Sequence, residues 1–149
     1  MLLYLALGGI RMSFKQDIES TLVIVKPDGM EHYEEIVDTF LDEGLDVTYE
    51  DTRRLDAETL NEHYAHIINM GFYPDLRDYM LSDDVAILVV TGENAVSRVR
   101  YLVGPTDSSL APEWTIRGKY GTNKMYNAIH ASDSVKNAEK EIKRFVKEK

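Results

Sequence analysis

The sequence contains no cysteine. Disulfide cross-links and thiolate metal sites are therefore excluded, in accord with a reducing, cytoplasmic location. Positive charge is also scarce: 17 Lys and Arg stand against 26 Asp and Glu, a formal net charge of −9. A chain this acidic lacks the basic face with which proteins neutralise nucleic-acid phosphates, and it carries no aromatic motif of the RNA-recognition type. An RNA-binding module is accordingly the weakest reading, and no nucleic-acid partner is expected. No apolar run is long enough to span a bilayer, so no membrane partner is expected either. Residues 1–10 are apolar, yet no cationic stretch precedes them as it would in a secretory leader. With Met12 close behind, residues 1–12 read as an upstream extension or a misplaced start, and residues 13–149 as the domain. Repeats, low-complexity tracts and Pro/Gly-rich linkers are absent, which leaves one domain large enough to bury a proper core.

What is present is a regular alternation of elements. Thr21 to Val25 is an uninterrupted β-prone run. Tyr33, Ile36, Val37, Phe40 and Leu41 recur at helical spacing, and Gly44 follows as a stop. Leu45, Val47 and Tyr49 alternate with polar residues as a half-buried strand does. Residues 57–68 and 74–81 read as two short helices, and 85–90 as a central strand. Asn94 is expected to N-cap a helix carrying Val96, Val99 and Val103. A polar loop at 104–114 precedes a last strand ending at His130. The final helix is expected to be capped by Asp133 or Ser134, with Val135, Ala138, Ile142, Phe145 and Val146 on one face. The result is a βαββαβ order with an insertion after the second strand and a long loop before the fourth. A four-stranded antiparallel sheet with helices over one face fits it: an α+β fold.

Chemistry concentrates in three segments. Asn127-Ala128-Ile129-His130-Ala131-Ser132-Asp133-Ser134 puts one histidine at a strand end, where a neighbour can fix one ring nitrogen while the other faces a cleft. Val25-Lys26-Pro27-Asp28-Gly29 follows the first β-prone run directly. Thr115-Ile116-Arg117-Gly118 precedes the histidine segment, with Arg100 further back. Each residue alone has a bland reading: a core histidine, a surface cation, a solvated glutamate. His63 and His66 stand at i, i+3 on an expected helix, but two ligands make a weak metal site. No protein-held metal is expected.

In this order and spacing, from about Ser20 to Phe145, the three segments resemble the nucleoside diphosphate kinase family. The resemblance implies a ferredoxin-like fold and transfer of the γ-phosphate of a nucleoside triphosphate, usually ATP, to nucleoside diphosphates. It implies His130 as nucleophile, forming a phosphohistidine in a ping-pong reaction. Glu141 would fix the tautomer of His130, and Ser132 would hold Glu141. Lys26, Arg100 and Arg117 match phosphate-binding cations, Thr106 a phosphate-contacting hydroxyl, and Tyr64 a tyrosine near the nucleophile. Asn127 matches the contact to the sugar 3′-hydroxyl and Phe72 the ring on which the base stacks; stacking tolerates any base. Arg53 and Arg98 have no such match. Mg²⁺ is implied, carried by the nucleotide phosphates, as is a homo-oligomer, tetramer or hexamer. The alternative reading is a divergent nucleotide-binding or scaffold protein with the same fold and weak turnover. Departures from the usual pattern include a shortened segment after Gly29, Ala131 after the histidine, and Thr106-Asp107-Ser108 and Glu113-Trp114 in the long loop.

Overall fold

A computed structural model describes residues 2–7, 10–15 and 17–147, the backbone alone over the first two stretches. Strands β1 (Leu2–Leu7) and β2 (Ile10–Lys15) pair antiparallel as a two-stranded sheet of their own. The apolar side chains noted at residues 1–10 lie outside the described residues.

The domain is built on β3 (Ile18–Val25), β4 (Asp46–Arg53), β5 (Val85–Glu93) and β6 (Ile129–Ala131). They form one antiparallel sheet in the order β4-β5-β3-β6, the ferredoxin-like arrangement. Six helices accompany it: α1 (Tyr33–Asp42), α2 (Ala57–His63), α3 (Tyr73–Met80), α4 (Ala95–Val103), α5 (Ile116–Tyr120) and α6 (Val135–Phe145). None among the described residues is long and apolar enough to cross a membrane.

The helices cover both faces of the sheet, not one. Val23, Val25, Ala86, Leu88 and Val90 pack with Ile36 and Phe40 of α1 and Val99 of α4. Leu22, Ile24, Val85 and Ile87 pack on the other side with Leu60 of α2, Leu76 and Met80 of α3, and Phe145 of α6. The cause is legible in β3 and β5, whose runs are apolar at odd and even positions alike, so both of their faces need cover.

Local differences from expectation have local reasons. In β4 the register shifts between Val47 and Tyr49, a bulge at Thr48. Val47 therefore joins the α1/α4 side while Tyr49 joins the α2/α3/α6 side. The 57–68 segment is α2 followed by a separate 3-10 turn, Ala65–Ile67. Asn94 takes φ 52 and makes no side-chain cap; Glu19 Oε1 instead accepts from Val96 N at 3.1 Å. Asparagine tolerates that left-handed conformation, which reverses the chain from β5 into α4. Ser134, of the two residues proposed, caps α6, its Oγ accepting from Asn137 N at 3.1 Å.

Candidate active site

Side chains alternate along β6, so Ile129 and Ala131 enter the α1/α4 core and His130, opposite Ile24 of β3, emerges on the other face. There it meets α6. His130 Nε2 lies 2.8 Å from Glu141 Oε1, and Ser132 Oγ donates to the same oxygen at 2.7 Å. Ser132 is fully buried, and its hydroxyl accepts from Leu22 N at 3.3 Å. Burial pushes the Glu141 carboxyl upward, but the hydrogen bond and charge of His130, with the Ser132 bond, outweigh it and hold it at about 2. An ionised carboxylate only accepts, so Nε2 carries the proton and the Nδ1 lone pair is left to react.

His63 packs edge-on to His130, ring centroids 4.7 Å apart. Burial, then the charge of His130, pushes His63 down to about 3, so it is neutral. Its Nδ1 accepts from Arg144 Nη1 at 3.2 Å, since a guanidinium only donates. His63, His130 and Glu141 bring ligand-type atoms within 4.8 Å of one another, so the metal-capable neighbours of His63 are these and not His66. Glu141 is already engaged by His130 and Ser132, and the His63 Nδ1 by Arg144.

A cleft of about 660 Å³ opens beside His130. Lys26, Tyr64, Phe72, Arg100, Thr106, Arg117 and Asn127 all line it, with His63 and His66. Burial, then the charge of Arg117, lowers Lys26 to about 8, with Asp28 opposing. Burial, then Arg100, lowers Arg117 to about 10. Three crowded cations thus stand in an otherwise acidic molecule, as a site for an anion requires. Arg117 also holds the scaffold: Nη1 and Nη2 donate to Gly104 O and Ile129 O, each at 3.0 Å. Its buried Nε has no partner among the described residues. Asn127 Nδ2 donates to Thr106 O at 3.0 Å and Lys124 O at 3.1 Å, and its buried Oδ1 has no partner among the described residues. Burial raises the Tyr64 phenol, which stays neutral. Phe72 is 46% exposed, its ring open to a stacking partner. Arg53 and Arg98 stand elsewhere, donating to the carbonyls of Phe145 and Glu43.

One device went unread in the sequence. Ala128 takes φ 72, a costly conformation for alanine. Asp28 Oδ2 accepts from its N–H at 3.1 Å, and Lys26 N donates to its carbonyl at 2.9 Å. Asp28 is held in turn by the Tyr79 hydroxyl. Gly29 permits the approach, because a Cβ there would stand 2.3 Å from Ala128 O. The segment Lys26-Pro27-Asp28-Gly29 therefore clamps the backbone that presents Asn127 and His130. The adjacency of the two segments was the missing signal.

A sequence model described as nucleoside diphosphate kinase matches residues 19–149. The chain belongs to the nucleoside diphosphate kinase family. Among curated nucleoside diphosphate kinases, that of Acetivibrio thermocellus is 38% identical over 88% of this chain and 98% of its own length. That of Aquifex aeolicus is 41% identical over 84% and 92%. The crystal structure of the Aquifex aeolicus nucleoside diphosphate kinase superposes with a TM-score of 0.83, at 39% identity, covering 88% of this chain and 96% of that one. The halophilic nucleoside diphosphate kinase of Halobacterium salinarum, solved in complex with CDP, gives 0.84 at 35% identity over 89% and 90%.

Proposed function

We propose that the protein moves the γ-phosphoryl group of a nucleoside triphosphate, usually ATP, onto nucleoside diphosphates through a phosphohistidine on His130. The observation that carries this reading is the 2.8 Å contact between His130 Nε2 and Glu141, which supports Nδ1 as the nucleophile. In the first half-reaction Nδ1 attacks the γ-phosphorus, the bond to the β–γ bridging oxygen breaks, and the diphosphate leaves with that oxygen. In the second, a terminal oxygen of another diphosphate attacks the same phosphorus and the P–N bond breaks. Lys26, Arg100, Arg117 and the Thr106 hydroxyl stabilise the phosphoryl oxygens, and Tyr64 stands beside them as a neutral donor. The Asn127 Oδ1 accepts from the sugar hydroxyl, and Phe72 stacks on the base.

Magnesium belongs to the substrate. The charged groups of the cleft wall are mostly cations, and among the described residues Asp133 is its one carboxylate, which accepts from Asn137 Nδ2 at 2.6 Å. Such a wall suits an ion carried on phosphate oxygens and waters better than one caged by protein. We assign the domain to residues 13–149, with 1–12 outside it; the family match over residues 19–149 supports a domain without the first twelve residues. We further assign the chain to the cytoplasm and to a homo-oligomer of four or six copies, as the resemblance implies.

The test is direct. Incubation with γ-labelled ATP and no acceptor is expected to give one acid-labile, base-stable phosphoprotein, and His130→Ala is expected to lose both label and turnover. Near-normal turnover in that variant would falsify the nucleophile assignment, and a wild type with neither label nor turnover would favour the nucleotide-binding or scaffold reading.

A further inference from the structure

The groups assigned to phosphates leave one cleft cation without a task. Lys124 is exposed and lines the same wall as Phe72, Leu76, Met125 and Asn127. Its backbone is rigidly set: Asn123 Oδ1 accepts from both Met125 N and Tyr126 N at 2.9 Å, an Asx turn around it. The Lys124 carbonyl accepts from Asn127 Nδ2 at 3.1 Å. Met125 packs into the cluster of Leu76 and Tyr79 on α3, the helix that begins directly after Phe72. Lys124 is thus rooted between the sugar contact and the stacking ring. The phosphate cations are rooted elsewhere, Lys26 on the Ala128 carbonyl and Arg117 on the Ile129 carbonyl beside His130.

We propose that Lys124 is a specificity-determining residue: its ammonium meets the edge of the base stacked on Phe72 and favours keto bases over amino bases. This rests on the nucleotide-kinase reading above. An ammonium has three donors and no acceptor. Guanine presents the O6 and N7 acceptors together and uracil presents O4; adenine presents N7 beside a donor amine and cytosine a donor amine at that edge, so each offers the ammonium fewer acceptors. Because Lys124 is exposed and on a flexible stem, the bias is graded and all four bases remain substrates. Its charge also interacts with Asp107, next to Thr106. A Lys124 that leaned toward the phosphates instead would act on every nucleotide alike.

The experiment compares the rate of phosphohistidine formation with GTP, UTP, ATP and CTP, in single turnover, for the wild type, Lys124→Met and Lys124→Arg. The expected wild-type ratios of GTP to ATP and of UTP to CTP are about 5- to 20-fold. Both ratios are expected to fall to within about twofold in Lys124→Met and to persist in Lys124→Arg. Flat wild-type ratios, ratios unchanged in Lys124→Met, or an equal slowing of all four triphosphates would each overturn the assignment. Absence of phosphohistidine from every triphosphate in the wild type is a different failure, which takes down the functional reading and this inference with it.

Discussion

Glu141 receives the His130 ring and the Ser132 hydroxyl on a single oxygen, so its negative charge decides which imidazole nitrogen is protonated. Glu141→Gln keeps the shape and removes that charge. The expected result is phosphohistidine formation slowed by about 10- to 100-fold, the usual cost of losing a group that orients a histidine. The same residue gives a pH signature in stability. Its folded pKa of about 2 lies below the ordinary 4.5, so its stabilisation is complete above about pH 4.5 and is lost as pH falls toward 2. Urea unfolding should therefore show a wild-type advantage over Glu141→Gln at pH 6 that shrinks by pH 3; an advantage that grew with acid would refute the ionised carboxylate. From its sequence neighbourhood alone, between Lys140 and Ile142, Glu141 is an ordinary helical acid. Only the resemblance marked it, because the partner that gives it meaning comes from a strand and not from its own helix.

At the level of elements, the site exists because one short segment grips another. The strained φ of Ala128 is held by Asp28 from one side and Lys26 from the other, and Gly29 supplies the room. Gly29→Ala would drive a Cβ into a backbone oxygen that is itself hydrogen-bonded, so no side-chain rotation relieves it. A loss of about 2–4 kcal/mol is expected by denaturant unfolding, together with slower phosphorylation of His130. A loss below about 0.5 kcal/mol would show that the two segments are not coupled. Periodicity revealed the strands of the main sheet and the longer helices of its core, because burial imposes a period on residues that are adjacent in sequence, whereas α5, five residues long, is too short to show one although its Ile116 enters the core. The Thr48 bulge and the left-handed turns at Asn94 and Ala128 were not read from periodicity. Those depend on contacts between distant segments, and a period carries no record of them. Likewise Lys124 and Arg144 look like any surface cation until the turn and α6 bring them to the cleft and to His63.

For the whole molecule, the cationic cleft is a local exception within a net charge of −9, so nucleotides meet attraction only at the site while copies of the chain repel one another. The proposed homo-oligomer would therefore rest on apolar surface. The 104–114 loop offers it: Leu110 is 78% exposed, and Trp114, 49% exposed, packs at a tilt against Tyr101, 68% exposed, with ring centroids 4.8 Å apart. Exposed apolar groups gathered in this way mark an interaction surface. The same loop contains Gly104 and Thr106, whose carbonyls hold Arg117 and Asn127, so covering its outer side would steady the inner side that faces the nucleotide. Light scattering after size exclusion is expected to give a tetramer or hexamer, more stable in added salt because screening weakens like-charge repulsion. Leu110→Glu with Trp114→Glu is expected to shift it to smaller species, with KM for nucleotides rising more than kcat falls. A wild-type monomer, or a double variant that keeps its size, would remove this loop from the interface and leave Arg117 and Asn127 supported from within the subunit alone.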